Sequence, residues 1–263
     1  MSTPASDVAT DVAPAAAGID PDAVLQVSEV AVRFGGINAL TDVTLNAAAG
    51  DITGLIGPNG AGKTTLFNVI TGLQEPTHGR VFINGRDVSG MSPHRRARLG
   101  LARTFQRLEV FGSLTAYENM LAAAEFHRSW SDDPTPPRDV AAEVIQRVGM
   151  GPMAGARVDA LPTGLARLVE LGRALATRPR LLLLDEVGSG LNHDETEALG
   201  ELLVSLARDG ISILLVEHDM ELVMNVCDRI HVLDFGRIIF TGTPAEVQRD
   251  PQVQAAYLGA ETT

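Results

Sequence analysis

The chain has 263 residues, 45% of them hydrophobic, and a formal net charge of −12. This length buries one large α/β core with a smaller satellite region, and the acidic balance excludes a broad nucleic-acid groove, which needs clustered cations against phosphates. The single cysteine, Cys227, excludes an intrachain disulfide framework or a cysteine zinc cluster and is expected as a small buried apolar side chain.

Residues 1–22 are rich in Ala, Ser, Thr, Pro and Asp without an apolar period, and are expected to form a disordered acidic leader. The first basic residue is Arg33, so the charged start of a secretory signal is missing, and no apolar run nears the roughly 20 residues of a membrane span. Alternating apolar positions over 24–34 and 39–45 predict two antiparallel strands turning at Gly35-Gly36. A short strand over 51–56 enters the run GPNGAGKT at 57–64, and 63–71 reads as the helix behind it. A strand over 80–84 ends at Gly85, and a short helix starts at Pro93. Arg95, Arg96, Arg98, Arg103 and Arg107, within 91–107, are expected on a solvated helix face.

Residues 113–177 change to helical patterns over 116–126, 139–148 and 164–176, around the Pro-rich break DDPTPPR at 132–138. Strands resume over 181–184, 212–216, 229–233 and 237–241, with helices over 194–208 and 219–226, and two short helical stretches follow Pro244 and Pro251. Alternating strands and helices predict a mainly parallel sheet. There is no internal repeat.

Lys63 is the only lysine among 21 basic residues, and it stands in the pattern G-x-x-x-x-G-K-[ST]. Successive backbone N–H groups at a helix N-terminus form an anion nest, and a compact ammonium on a thin stem reaches phosphate oxygens that a planar guanidinium fits less well. The run LLLLDE at 181–186 ends in Asp185 and Glu186, two carboxylates at the C-terminal edge of a buried strand, where open α/β sheets hold their ligands. The strand over 213–216 leads to His218 at the same edge. Gln106 follows the run LARTF at 101–105.

In chain order and spacing, GPNGAGKTT, ARTFQ, LLLLDE, SGLN at 189–192 and LLVEHD resemble the ATPase subunits of ABC transporters over roughly 24–259. GLARTFQRLEVFGSLTAYENM, LLVEHDMELVM and DPQVQAAYLG are similar to the branched-chain amino-acid importer ATPases within that family. The resemblance implies a P-loop NTPase, RecA-like α/β core with an N-terminal antiparallel β region, so that 23–263 is one ATPase domain carrying an inserted helical subdomain at 113–177. It also implies ATP and Mg²⁺ as cofactors. Gly57, Pro58, Asn59, Gly60, Ala61, Gly62, Lys63, Thr64 and Thr65 would cradle the phosphates, and Phe34 would stack on adenine. Thr64, Asp185 and Gln106 would serve the metal, Glu186 would be the general base, and His218 and Gln106 would contact or sense the γ-phosphate beside Lys63.

The implied partners are a sister ATPase, transmembrane permease subunits and, indirectly, an extracytoplasmic binding protein, with no nucleic acid. Phe111 and Tyr117 are candidates for the permease groove. The implied location is cytoplasmic and peripheral on the inner membrane face. Urea, amide or lipid transport, and a soluble non-transport ABC ATPase, are the alternatives. The family completes each ATP site with a segment typically reading LSGGQ from the opposite subunit, and this chain has Leu161-Pro162-Thr163-Gly164-Leu165 there. Such a segment lacks a serine hydroxyl, a backbone donor and a polar amide, so a heterodimer is favoured over a homodimer. Val187 also stands where proline usually follows the base, which makes the geometry of the 189–192 loop a specific question.

Overall fold

The computed structural model describes residue 20 and residues 22–258. The chain runs β1 (Ala23–Phe34), β2 (Ile37–Ala48), β3 (Ile52–Ile56), α1 (Lys63–Thr71), β4 (His78–Ile83), β5 (Arg86–Asp87), α2 (Pro93–Ala97) and β6 (Leu101–Arg103). It continues through α3 (Ala116–Arg128), α4 (Pro137–Arg147) and α5 (Thr163–Leu175). The second half is β7 (Leu181–Asp185), α6 (His193–Arg208), β8 (Ser212–Val216), α7 (Met220–Val226), β9 (Arg229–Asp234), β10 (Arg237–Gly242), α8 (Pro244–Arg249) and α9 (Pro251–Leu258). The leader expected at 1–22 lies outside the described residues apart from Asp20 and Asp22.

Two sheets form, a four-stranded antiparallel one in the order β2-β1-β4-β5 and a six-stranded one in the order β10-β9-β3-β8-β7-β6. The second is parallel except for β10, which turns back antiparallel on β9. Strands β3, β7 and β8 are mostly apolar and buried along their whole length because both faces are covered. Leu181 and Leu183 of β7, with Leu214 and Val216 of β8, join a core shared with α1 and the antiparallel sheet. Leu182 and Leu184, with Ile213 and Leu215, face the opposite way into a core shared with α3 to α7. The strand period of two thus sends each strand's side chains into two cores at once.

Since β3, β7 and β8 are parallel and adjacent within this sheet, their C-terminal ends share one edge. The loops that follow them carry the 57–64 run, Glu186 and His218. Of the arginines expected on a solvated face, Arg96 is instead buried, and the side chain of Arg103 is only 6% exposed. Arg96 donates to the carbonyls of Val69, Ile70, Ser89 and Met91, tying α2 to the end of α1. The helical pattern hid this role because a guanidinium can be buried when its donors meet carbonyls.

Candidate nucleotide site

The loop after β3 has the shape of an anion cradle. A Cβ on Gly57 would lie 1.9 Å from the Leu233 carbonyl oxygen, and one on Gly62 would lie 2.8 Å from that of Ala39. Only glycine lets the backbone pass so close. Helix α1 starts from Gly62 with no side-chain cap and no acid in its first turn, so its positive end is left for an external anion. Lys63 Nζ lies over the loop, donating to the carbonyls of Gly57 at 2.6 Å and Pro58 at 3.0 Å. Burial lowers the pKa of its ammonium, while Glu186 and Asp185 pull it back up.

A cleft of about 440 Å³ opens above this loop, lined by Asn59 through Thr65 together with Gln106, Glu186 and His218. Glu186 Oε1 is the meeting point. It lies 2.8 Å from His218 Nε2 and accepts from Gln106 Nε2 at 3.2 Å. Glu186 holds a positive φ of 54°, an uncommon conformation for a side chain of this size, and its N–H is fixed by the Val216 carbonyl at 2.9 Å. Thus three chain segments far apart in sequence converge on one carboxylate oxygen over the phosphate loop.

Asp185 stands just before Glu186, behind the residues that line the cleft, and is buried against Arg103, whose Nη2 is 3.1 Å from Asp185 Oδ2. Burial raises the Asp185 pKa and the Arg103 guanidinium opposes it. The Asp185 N–H donates to the Thr104 hydroxyl, which sets the end of β7 against the start of the Gln106 loop. Arg103 also donates to Asn68 Oδ1 and lies between the Phe67 and Phe105 rings at 5.3 and 4.9 Å. No clustering or period in the sequence distinguishes it from a surface arginine.

The donors expected for Mg²⁺ suit a hard cation. Among the described residues the Thr64 hydroxyl has no side-chain or backbone partner, Gln106 spends only its amide nitrogen on Glu186, and Asp185 spends only one oxygen on Arg103. Among the described residues no group of three or more His, Cys, Asp or Glu could hold a metal unaided. That fits an ion bound through few protein oxygens and the substrate's own phosphates.

Phe34 is 50% exposed at the tip of the β1–β2 hairpin and does not line the phosphate cleft. Two residues that sequence reasoning did not single out also touch this machinery. Glu217 is buried, its Oε1 accepting the Gly188 N–H at 2.7 Å, so it holds the loop between β7 and α6; burial raises its pKa. The Tyr257 phenol of α9 is pushed up to about 12 by burial, with the Gly57 backbone opposing the shift. Val187, in place of the expected proline, is buried in the core, and the loop after it is ordered by Ser189 and Leu191 N–H bonds to the carbonyls of Glu186 and Gly188. Asn192 then caps α6 in a reciprocal box with Glu195.

A model of the ABC transporter family matches residues 40–189, more than half of the chain. The chain belongs to the ABC transporter ATPase family. Residues 237–263 of this ABC ATPase match a second model, that of the branched-chain amino acid ATP-binding cassette transporter. It is 37% identical to the high-affinity branched-chain amino acid transport ATP-binding protein BraF of Pseudomonas aeruginosa over 90% of this chain and 98% of that one. LivG of Salmonella typhimurium, with the same description, is 38% identical at the same coverage. The lipopolysaccharide export system ATP-binding protein LptB of Haemophilus influenzae is 34% identical, again over 90% of this chain and 98% of that one. The crystal structure of a nucleotide-free ATP-binding cassette from an ABC transporter superposes with a TM-score of 0.81 at 29% identity, covering 89% of this chain and 98% of that one. This ABC ATPase has a P-loop NTPase fold with an antiparallel N-terminal β region, as the motifs imply.

Proposed function

We propose that this ABC ATPase hydrolyses ATP at the 57–65 loop with Glu186 as general base and powers separate permease subunits of an importer for branched-chain or related amino acids. The observation that carries the chemistry is the convergence of His218 and Gln106 on Glu186 Oε1. Glu186 takes the proton of the attacking water, and His218 and Gln106 orient that carboxylate and reach the γ-phosphate. Lys63 exchanges its two carbonyl partners for phosphate oxygens when nucleotide enters. Phe34 stacks on the adenine ring. Thr64, Gln106 and Asp185 would hold Mg²⁺, which would supply neutralisation of phosphate charge.

We treat 23–263 as one ATPase domain and 113–177, whose helices α3, α4 and α5 pack on one another, as its inserted helical subdomain. The similarity to BraF and LivG and the 237–263 match support the amino-acid reading. The similarity to LptB supports lipid export as the second reading. No helix among the described residues is long and apolar enough to cross a membrane, in keeping with a peripheral subunit that meets its permease at the inner face.

Pro162 and Leu165, where the family has polar phosphate donors, support pairing with a sister ATPase that supplies a better segment to this chain's ATP. The partner permease and an extracytoplasmic binding protein complete the assembly. Two measurements test the reading. Glu186→Gln is expected to keep MgATP binding by calorimetry while turnover falls about 100-fold or more; turnover equal to wild type removes Glu186 as the base. Uptake of labelled leucine by vesicles carrying the co-purified complex is the arm that separates import from lipid export.

A further inference from the structure

The loop over 104–112, which carries Gln106, is gripped from the helical segment. Arg167 and Glu170 stand one turn apart on α5, 8% and 4% exposed, and pair at 3.2 Å. Arg167 donates one guanidinium nitrogen to the Phe105 carbonyl and the other to the Gln106 carbonyl. Glu170 Oε1 accepts the N–H groups of Phe105 and Glu109, each at 3.2 Å. One buried pair therefore satisfies four main-chain groups flanking the Gln106 side chain. Farther along the loop, Arg173 donates to the Glu109 carbonyl and lies 4.5 Å over the Phe111 ring, and Asn119 bonds both the N–H and carbonyl of Phe111.

The helix that supplies this grip begins at Thr163, inside the 161–165 segment, and its first turn is seated against the loop after β7: a Cβ on Gly164 would come within 2.5 Å of the Gly190 carbonyl oxygen. Moving α5 as a rigid element must therefore carry the Phe105 and Gln106 backbone with it. We propose that the Arg167–Glu170 pair is a positioning device that couples the 161–165 end of α5 to the reach of Gln106 over this chain's own phosphate loop. The guanidinium is suited to this because its planar fork binds two successive carbonyls in one orientation, which a lysine ammonium does not reproduce. Through the pair, a shift at one ATP-facing segment alters the other without any contact between them.

This inference rests on the role given to Gln106, so the experiment separates the two. Hydrogen exchange is followed on the full chain in a Glu186→Gln background, kept monomeric as checked by light scattering, with and without MgATP. MgATP is expected to slow exchange at 57–65, over 104–110 and in the first turn of α5. With Arg167→Lys, protection at 57–65 is expected to persist while protection at 163–167 disappears; a purely structural pair would instead lower the melting temperature and leave that difference unchanged. Unchanged protection at 163–167 in a folded Arg167→Lys chain overturns the coupling.

Gln106→Ala is expected to abolish the same remote protection. If it does not, while Arg167→Lys does, the role assigned to Gln106 fails and the coupling through it fails too. Should Arg167→Lys not fold, Glu170→Gln, which keeps an oxygen for the two N–H groups but removes the ion pair, is read in the same way. In turnover, Arg167→Lys is expected to lower kcat about tenfold with KM for ATP within twofold, and to have no further effect in a Gln106→Ala background. Equal losses in both backgrounds contradict the proposal.

Discussion

At the scale of single residues, the site depends on a few buried charges whose partners hold them in place. Asp185 is tolerated inside the core because Arg103 pairs with it, and breaking a buried pair from one side leaves an uncompensated charge. Arg103→Leu is expected to lower unfolding stability by about 3–5 kcal/mol in denaturant titrations, and adding Asp185→Asn is expected to restore part of that loss. If the double variant is no more stable than Arg103→Leu, the pair is not what holds Asp185. Gly57 makes a separate demand. A methyl group 1.9 Å from a carbonyl oxygen cannot be accommodated without moving β9 or the loop, so Gly57→Ala is expected to lose MgATP binding in calorimetry. Gly60→Ala, whose Cβ meets nothing within 4 Å but which keeps a φ of 80°, is expected to bind, at a cost in stability of about 1 kcal/mol.

At the scale of elements, the two sheets are joined by a buried imidazole. His231 of β9 lies 3.0 Å from the Asn46 carbonyl of β2 through Nε2 and 2.8 Å from the Thr241 hydroxyl of β10 through Nδ1. The carbonyl requires Nε2 to be the donor, so the neutral ring makes both bonds. Burial lowers the His231 pKa, the Asn46 contact opposing it. The unfolded chain therefore takes up the proton first, and the contribution present above about pH 6.5 is lost as pH falls toward the lower folded value. Wild type is expected to lose more stability than His231→Gln between pH 7.5 and 5.5 in parallel denaturant titrations. Equal losses would show that the sheet junction does not titrate.

The elements also show what can be read without coordinates. The strands over 181–185 and 212–216 and the helix over 63–71 were legible because apolar runs and a glycine loop mark them locally. β6 was not, since Leu101–Arg103 is three residues long and exists only by pairing with β7. Lys63, Asp185, Glu186 and His218 could be placed because each follows such a marked strand. Arg103, Arg167, Glu170 and Glu217 could not, because a charged residue on a helix or short strand carries no local sign of which way it faces.

For the whole molecule, the 161–165 segment bears on how two ATPases share work. If Pro162 and Leu165 remove donors to an ionised phosphate, each worth about 1.5–3 kcal/mol, then Pro162→Ser with Leu165→Gln restores them. ATP turnover of the chain purified alone is expected to rise about tenfold or more. A rate unaltered by these changes, or a wild-type rate that is already cooperative and indifferent to a sister subunit, removes the case for an asymmetric pair. A companion prediction concerns docking: Phe111, 44% exposed beside Arg173, is expected on alanine substitution to weaken co-purification of the permease while leaving MgATP binding intact.

The amino-acid order by itself determined the phosphate loop, the strand-end carboxylates and the family, since these depend on short contiguous runs whose backbone geometry is nearly self-contained. Tertiary structure alone decided that His218 and Gln106 meet on one oxygen of Glu186, that Arg103 neutralises Asp185, and that α5 holds the Gln106 loop through Arg167 and Glu170. Those contacts join residues tens of positions apart. Their energies come from burial and hydrogen-bond geometry, which exist only after the sheet has set its strand order.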